Sequence, residues 1–242
     1  MPESLKNKVV LVVGASSGIG RATAVLFAQE GSKVMASARR EDRLRGLQDE
    51  LTRQGHSLEI APADASDPHQ METLAAYTRE VLGPIDILVY ATGTNTQQRT
   101  LRNLTPPVWN ELITVNLNGA YYATGAVLPA MRERRSGHLI YVSSISGILP
   151  DVSGAAYQAS KRGMLGLAHA IRVEEKENGI RTCAICPGLV ETEILEKRPV
   201  KPDAATLSKA LQPEDVAEAI LAVAKLPARA AVPELQILPT YL

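Results

Sequence analysis

A tyrosine and a lysine that could share one chemical task lie four residues apart, at Tyr157 and Lys161. The surrounding pattern predicts a helix over residues 154–178, so both side chains would project from the same helix face. A free tyrosine has a pKa of about 10 and is a poor base at neutral pH. A neighbouring ammonium favours the phenolate and lowers that pKa. The pair could therefore exchange a proton with a substrate oxygen, although a solvated helix face would show the same spacing.

Two further polar residues, Ser144 and Asn116, are candidates for the same site. A predicted strand over residues 137–143 ends at Ser144, and active sites in open α/β sheets lie beyond the carboxyl ends of strands. A hydroxyl there can hydrogen-bond a substrate oxygen, and by residue type alone Ser143 would serve equally well. Asn116 lies within a predicted helical stretch, where asparagine is unfavourable. Its amide could support the site or make a local backbone bond of no catalytic use.

A glycine-rich turn follows the first apolar run of the chain, which ends at Val13. The backbone N–H groups of such a turn, together with the N-terminus of the following helix, can bind a pyrophosphate. A tight strand-to-helix connection without a ligand is the alternative. The position of the turn at the start of an alternating strand and helix series favours a dinucleotide site. The residues assigned to it are Gly14, Ser16, Ser17, Gly18, Ile19 and Gly20.

An alternation of strands and helices must position these residues. Short apolar runs predict strands at residues 9–13, 33–38, 57–61, 85–90, 137–143, 180–186 and 234–238. Helical patterns lie between them, at about residues 21–30, 41–54, 67–82, 105–135, 154–178 and 213–225. This alternation requires crossover connections and a parallel sheet. The predicted fold is a single doubly wound α/β domain of the Rossmann type over residues 1–242, with about seven strands. Two long irregular stretches, 91–104 and 189–212, are expected to shape a substrate pocket.

The composition excludes several classes of function. The chain has 242 residues, 45% of them hydrophobic, and its 26 basic and 26 acidic residues leave no net charge. A neutral chain without a basic block is not expected to bind nucleic acid or an anionic membrane. No apolar run reaches the ~18 residues of a transmembrane helix, and the N-terminus lacks the apolar core of a signal peptide. A cytoplasmic protein is therefore expected.

Cys183 and Cys186 form a C-x-x-C pattern, which in other proteins can hold a metal or a redox disulfide. They fall inside a predicted strand, where residues three apart point to opposite faces. Two buried apolar thiols are therefore the interpretation we adopt. No second pair of cysteines or histidines completes a zinc site, so no metal is predicted.

Together these motifs resemble the short-chain dehydrogenase/reductase family, and in particular its shorter members of the 3-oxoacyl reductase type. The motifs occur in the family's order and spacing along essentially the whole chain. The resemblance rests on the glycine pattern, Asn116, Ser144, Tyr157-Gln158-Ala159-Ser160-Lys161 and Pro187-Gly188-Leu189-Val190-Glu191-Thr192.

The resemblance implies a role for each catalytic candidate. Tyr157 would be the general acid in reduction and the general base in oxidation. Lys161 would lower the pKa of Tyr157 and bind the nicotinamide ribose. Ser144, rather than Ser143, would orient and polarise the carbonyl. Asn116 would kink its helix and support the lysine through water.

The cofactor is implied by the end of the second strand. An acidic residue there binds the ribose 2′-hydroxyl of NAD, whereas arginine accommodates the 2′-phosphate of NADP. This chain has Ala38, followed by Arg39 and Arg40, and guanidinium groups bind phosphate in a bidentate manner. NADP is therefore expected and NAD less so, although a basic flank of a helix would look the same. The other cofactor-binding residues that the resemblance implies are Asp64, Ala65, Ala91, Gly93, Pro187, Gly188, Val190 and Thr192, with Tyr157 and Lys161.

The sequence departs from the family pattern in two places. Val13 stands where the family usually has threonine, and Ala91-Thr92-Gly93 replaces the usual Asn-Ala-Gly after the fourth strand. In the family that asparagine supports the centre of the sheet near the cofactor. The local support is therefore expected to differ here, whereas no catalytic group is missing.

The sequence thus predicts an oxidoreductase that transfers a hydride between NADP(H) and a small carbonyl or secondary alcohol substrate. Two alternatives stay open: a dinucleotide-binding sensor or regulatory protein without turnover, and an epimerase or dehydratase on the same fold. The predicted helices at 105–135 and 154–178 carry more apolar positions than one buried stripe needs. A homotetramer, or else a dimer, is therefore expected.

Overall fold

Residues 3–241 are described by a computed structural model, in which strands and helices alternate along the chain. The strands are β1 (Val9–Val13), β2 (Lys33–Ala38), β3 (Glu59–Pro62), β4 (Ile87–Tyr90), β5 (Gly137–Val142), β6 (Ile180–Pro187) and β7 (Glu234–Ile237). The α-helices are α1 (Gly18–Gln29), α2 (Glu41–Arg53), α3 (Pro68–Leu82), α4 (Pro106–Ile113), α5 (Gly119–Arg134), α6 (Ala155–Glu175), α7 (Ala204–Leu207) and α8 (Pro213–Ala224).

The seven strands form one parallel sheet in the order β3-β2-β1-β4-β5-β6-β7. At its centre, Val12 of β1 pairs with Ala36 of β2 on one side and with Val89 of β4 on the other. The chain thus builds one half of the sheet outward from β1 and returns at β4 to build the other half. This confirms the predicted doubly wound fold. Ligands of such sheets bind where the strand order reverses, beyond the carboxyl ends of β1 and β4.

Helices cover both faces of the sheet, which is why its central strands are apolar throughout. Alternate residues of β1 point to opposite faces: Val10 and Val12 join one buried cluster, and Leu11 joins the other. Helices α1, α2 and α8 supply the first cluster, and α3, α5 and α6 supply the second. No helix within residues 3–241 combines the length and apolar character needed to cross a membrane.

The structure differs from the sequence prediction mainly at the ends of elements and in two longer segments. The predicted helix over 105–135 is interrupted by a π-helical turn at Thr114–Asn118, which separates α4 from α5. The stretch 189–212, predicted to be irregular, contains a 3₁₀ turn at Glu193–Lys197 and the short helix α7. Asp203 begins α7 by accepting the backbone N–H of Thr206 at 2.7 Å, a local capping interaction that apolar periodicity does not reveal.

The two cysteines lie on opposite faces of β6, as their spacing predicted. Cys183 belongs to one buried cluster and Cys186 to the other, and both are free thiols. Burial raises the pKa of each thiol to about 12, so neither is a thiolate at neutral pH. The fold therefore uses both as small apolar side chains.

We expect Gly119→Ala to destabilise the fold, whereas Gly46→Ala should not. Both glycines are helical, so alanine gains about 0.5–1 kcal/mol of helix propensity at either position. At Gly119 the new Cβ would lie 2.2 Å from the Tyr90 hydroxyl and 2.7 Å from the Ala65 carbonyl oxygen. At Gly46 it would meet nothing within 4 Å. Overpacking typically costs about 1–3 kcal/mol. Thermal unfolding followed by circular dichroism should show a lower midpoint for Gly119→Ala only, and an unchanged or higher midpoint would contradict the packing argument.

Candidate active site

One cleft of about 660 Å³ opens at the carboxyl ends of the central strands. It gathers the turn after β1, the ends of β2 to β6, the start of α6 and the segment after β6. Of the residues assigned to a cofactor or to catalysis from the sequence, only Gly20 and Asn116 do not line it. Those that do are Gly14, Ser16, Ser17, Gly18, Ile19, Arg39, Arg40, Asp64, Ala65, Ala91, Gly93, Ser144, Tyr157, Lys161, Pro187, Gly188, Val190 and Thr192.

The glycine-rich turn places backbone without side chains at the floor of this cleft. Gly14 and Gly18 have φ values of 101° and 54°, which side-chain-bearing residues rarely adopt. Gly20 packs beneath the turn, where a Cβ would lie 2.2 Å from the Gly14 carbonyl oxygen. Helix α1 begins at Gly18, and the side chain of the preceding Ser17 does not cap it. The N-terminus of α1 is therefore suited to bind an anion.

The two arginines after β2 make different contacts. Arg40 donates from Nη2 to the hydroxyls of Ser16 at 3.0 Å and Ser17 at 2.7 Å, and from Nη1 to a carboxylate oxygen of Glu193 at 2.7 Å. Arg39 is largely exposed and lies 3.8 Å from a carboxylate oxygen of Asp64. Arg40 is thus held over the glycine-rich turn, and an acidic group already contacts its guanidinium.

The ammonium of Lys161 is buried between α6 and the sheet. Nζ donates to the carbonyl oxygen of Val142 at 2.9 Å and lies 5.7 Å from the ring centroid of Tyr157. Only 3% of the residue is exposed. Burial lowers the pKa of Lys161 to about 8, because the charged form loses its hydration. The lysine therefore stands beside the tyrosine on one helix face.

The phenol of Tyr157 is a weak acid in this setting. Burial raises its pKa, and the nearby Asp151 carboxylate adds to this effect. The Ser144 hydroxyl and the positive charges of Arg99 and Arg198 oppose the rise. The expectation that Lys161 lowers the pKa of Tyr157 stays a prediction. At neutral pH the group is a protonated phenol, ready to donate.

The structure distinguishes the two adjacent serines after β5. Ser143 donates its hydroxyl to the backbone carbonyl of Lys161 at 3.0 Å, which ties β5 to α6. Ser144 instead donates its hydroxyl to the Ser146 hydroxyl at 3.2 Å and acts on the pKa of Tyr157. Both serines line the cleft, but the hydroxyl of Ser143 is bound to a backbone carbonyl, so the choice of Ser144 stays a prediction that these contacts favour.

Asn116 lies behind the cleft wall, fully buried in the π-helical turn. Its Oδ1 accepts the Thr94 N–H at 2.7 Å, and its Nδ2 donates to the Thr94 carbonyl and to the Ser160 hydroxyl, both at 3.0 Å. Both partners are distant in sequence, so the side chain of Asn116 does not make the local backbone bond that the sequence left open as an alternative. The amide links the loop after β4 to α6 without touching Lys161 directly.

A different contact supports the sheet centre where the family asparagine is missing. The buried Tyr90, at the end of β4, donates its hydroxyl to the carbonyl oxygen of Val115 at 2.6 Å. Val115 lies in the π-helical turn. The backbone of Ala91 also donates to Val13 at 2.8 Å. The end of β4 is thus fixed to both β1 and the turn that carries Asn116.

The site predicted from the sequence omits five charged residues that line the cleft, namely Arg99, Asp151, Glu193, Lys197 and Arg198. All five lie outside the α-helices and strands, where no periodicity indicates which way a side chain points. The sequence offers two interpretations of Arg198, Lys197 and Lys201, as contacts of an anionic substrate or as a solvated loop face, and favours the second. In the structure Arg198 and Lys197 line the cleft, whereas Lys201 does not. Four of the five lie within the stretches 91–104 and 189–212 that were expected to shape a pocket, whereas no sequence signal points to Asp151.

Comparison with known proteins agrees with this geometry. The family model of the short chain dehydrogenases matches residues 8–202. An uncharacterised oxidoreductase of Staphylococcus saprophyticus is 35% identical over 98% of both chains. A structure of serine dehydrogenase complexed with NADP⁺ is 35% identical, covers 95% of this chain and 94% of its own, and has a TM-score of 0.85. An alcohol dehydrogenase of Thermococcus sibiricus complexed with 5-hydroxy-NADP is 28% identical, covers 97% of both chains, and has a TM-score of 0.86.

Proposed function

Because the chain belongs to the short-chain dehydrogenase/reductase family, we propose that it is an NADP(H)-dependent oxidoreductase that interconverts a small carbonyl compound and the corresponding alcohol. The observation that carries the proposal is that Tyr157, Lys161 and Ser144 share one cleft with the glycine-rich turn. A group able to exchange a proton and a cradle able to hold a dinucleotide are thereby combined in one cavity.

Each side chain has a distinct task in this proposal. A nicotinamide dinucleotide, when bound, supplies or accepts the hydride at the substrate carbon. Ser144 donates a hydrogen bond to the substrate oxygen and orients it toward Tyr157. Tyr157 donates its phenolic proton to that oxygen in reduction and takes the proton back in oxidation. Lys161 stands behind the phenol and offers its ammonium to the ribose hydroxyls. Asn116 is a positioning residue that holds the loop after β4 against α6.

The donor groups in the cleft fit a dinucleotide with a 2′-phosphate. The bare turn at Gly14 and Gly18 suits a pyrophosphate, and Arg39 and Arg40 follow β2 where an adenosine ribose would lie. The similar proteins solved with NADP⁺ or 5-hydroxy-NADP support the same preference. A 2′-phosphate would compete with Glu193 for Arg40.

The two alternatives are less well supported. A sensor without turnover would not need the phenol, ammonium and serine hydroxyl to be placed together, yet all three line the cleft. No feature of the described residues favours an epimerase or a dehydratase over hydride transfer.

We also propose a cytoplasmic location, since two buried unpaired thiols suit a reducing compartment.

We expect Tyr157→Phe to abolish turnover while cofactor binding is nearly retained, because the ring still packs and only the proton donor is lost. General acid–base groups typically contribute about 10²–10⁴-fold. The measurement is NADPH oxidation with a panel of activated ketones, alongside cofactor titration. Tyr77→Phe, on the exposed face of α3, is the matched control and should keep full activity. A Tyr157→Phe protein with more than about a tenth of the normal rate would refute the assignment.

We expect Glu193→Gln to tighten NADP binding, because the carboxylate that competes with the 2′-phosphate for Arg40 is removed. An exposed ion pair contributes at most about 1 kcal/mol, so the dissociation constant should fall about two- to fivefold. NAD lacks the phosphate and should bind with unchanged affinity. Isothermal titration of both cofactors provides the test, with Glu196→Gln from the same 3₁₀ turn as control. If NADP affinity stays the same or weakens, Glu193 does not compete for the phosphate site.

For assembly we propose a homotetramer, or else a dimer, formed through α5 and α6. Their outer faces expose Tyr121 by 60% and Val173 by 57%. Gly125 and Gly166, on the same faces, have open space around them that would let another helix approach closely. Light scattering at micromolar concentration should give about four times the chain mass of 26.0 kDa. A mass of one chain would refute the assembly, and a doubled mass would leave the dimer.

A further inference from the structure

Two arginines from separate segments of the chain line the cleft that also holds Tyr157. Arg99 lies in the loop between β4 and α4, and Arg198 directly follows the 3₁₀ turn Glu193–Lys197. Burial lowers the pKa of Arg99 and the charge of Arg198 lowers it further, while both charges oppose the rise that burial causes in the pKa of Tyr157. Positive charge is therefore concentrated at the reacting end of the cleft.

Arg99 is held in place by several contacts. Arg99 is only 9% exposed. Its Nε donates to the Thr96 carbonyl at 2.9 Å, and its Nη2 donates to the Lys197 carbonyl at 3.1 Å. Gly154, with φ at 97°, passes so close that a Cβ there would lie 2.8 Å from the Cβ of Arg99. Gly154 immediately precedes α6, the helix that bears Tyr157. The guanidinium is thus fixed relative to the phenol.

Neither guanidinium is neutralised by an acidic side chain. Within residues 3–241, no carboxylate oxygen lies within 4.0 Å of Arg99 or Arg198. Asp151 faces the same cleft, but Ser146 and Ser153 donate hydrogen bonds to its carboxylate. Burying the Arg99 guanidinium without a carboxylate partner is costly. Because its Nε and Nη2 already donate to backbone carbonyls, Nη1 of Arg99 and the guanidinium of Arg198 are the donors left for a carboxylate.

We infer that Arg99 and Arg198 form a subsite for a carboxylate group of the substrate, so that the substrate class is a hydroxy acid and its oxo acid. The inference rests on the proposed oxidoreductase function. Asp151 contacts neither guanidinium, so both remain available to a carboxylate, and its negative charge in the same cleft disfavours a doubly charged phosphate. Contact of the carboxylate with the arginines would direct the substrate's reacting oxygen toward Tyr157 and Ser144.

The test compares charged and neutral forms of the same carbonyl compound. Reduction by NADPH is measured for acetoacetate against methyl acetoacetate, for pyruvate against methyl pyruvate, and for dihydroxyacetone phosphate against dihydroxyacetone. The proteins are the wild type, Arg99→Gln, Arg198→Gln and the control Arg102→Gln. Arg102 is exposed in the same loop and does not line the cleft. Because both arginines also act on Tyr157, the ratio of acid to ester kcat/KM isolates carboxylate recognition from any effect on proton transfer.

We expect the wild type to prefer at least one oxo acid over its ester, and Arg99→Gln and Arg198→Gln each to lower that ratio at least tenfold. Arg102→Gln should leave it unchanged. If Arg99→Gln fails to fold, the variant Arg198→Gln, at the more accessible position, provides the test.

Two results would overturn the subsite while leaving hydride transfer intact. One is that the wild type reduces the esters but does not prefer either acid, and the other is that neither arginine variant changes the ratio of acid to ester kcat/KM. A preference for the phosphate ester over both acids would overturn the carboxylate assignment. No reduction of any compound, neutral ones included, would overturn the proposed function itself.

Discussion

The buried ammonium of Lys161 is the point to which the rest of the site is attached. Its bond to the Val142 carbonyl fixes α6 against the end of β5, and the Ser143 hydroxyl returns a bond to the Lys161 carbonyl. The adjoining Ser160 accepts from Asn116, which in turn holds both backbone groups of Thr94. One continuous network therefore joins a strand, a helix, the π-helical turn and the loop after β4. Tyr157 owes its position to that network, since it lies one turn before Lys161 on α6.

This arrangement costs the folded chain free energy. The ammonium has no carboxylate partner within residues 3–241, and its pKa falls from 10.5 to about 8. A shift of this size corresponds to about 3 kcal/mol. The cost is present in full below about pH 8. It is relieved as the pH rises toward 10.5, because the folded chain releases the proton before the unfolded chain does. The doubly covered sheet supplies the stability that permits such a site.

The sequence predicted those parts of the structure that local spacing determines. A four-residue separation places Tyr157 and Lys161 on one helix face, and glycines at 14 and 18 predict a turn that needs positive φ. The strand alternation predicted a parallel sheet, whose regular geometry brings the ends of β1, β4, β5 and β6 to one edge. Such features depend on contacts between near neighbours or on a repeating period.

Contacts between distant, irregular segments could not be predicted in this way. The bond from Tyr90 to Val115 depends on a π-helical turn that has no periodic signature in the sequence. Likewise, residue type alone gives Ser143 and Ser144 the same chemistry, and only the register of β5 against α6 separates their hydroxyls. In the sequence, nothing distinguishes Arg99 from any other loop arginine. Only the folded structure places Lys197 and Gly154 against it.

The segment after β6 shows how such contacts connect the two ends of the cleft. Thr192 packs against Gly18 of the glycine-rich turn, where a Cβ would lie 3.0 Å from the threonine methyl. One residue later, Glu193 contacts Arg40 beside the glycine-rich turn, and directly after the same 3₁₀ turn Arg198 lines the cleft that holds Tyr157. The chain is neutral overall, so these arginines act through local fields rather than through net charge. A single short segment thus borders both the proposed cofactor phosphate site and the reacting end of the cleft.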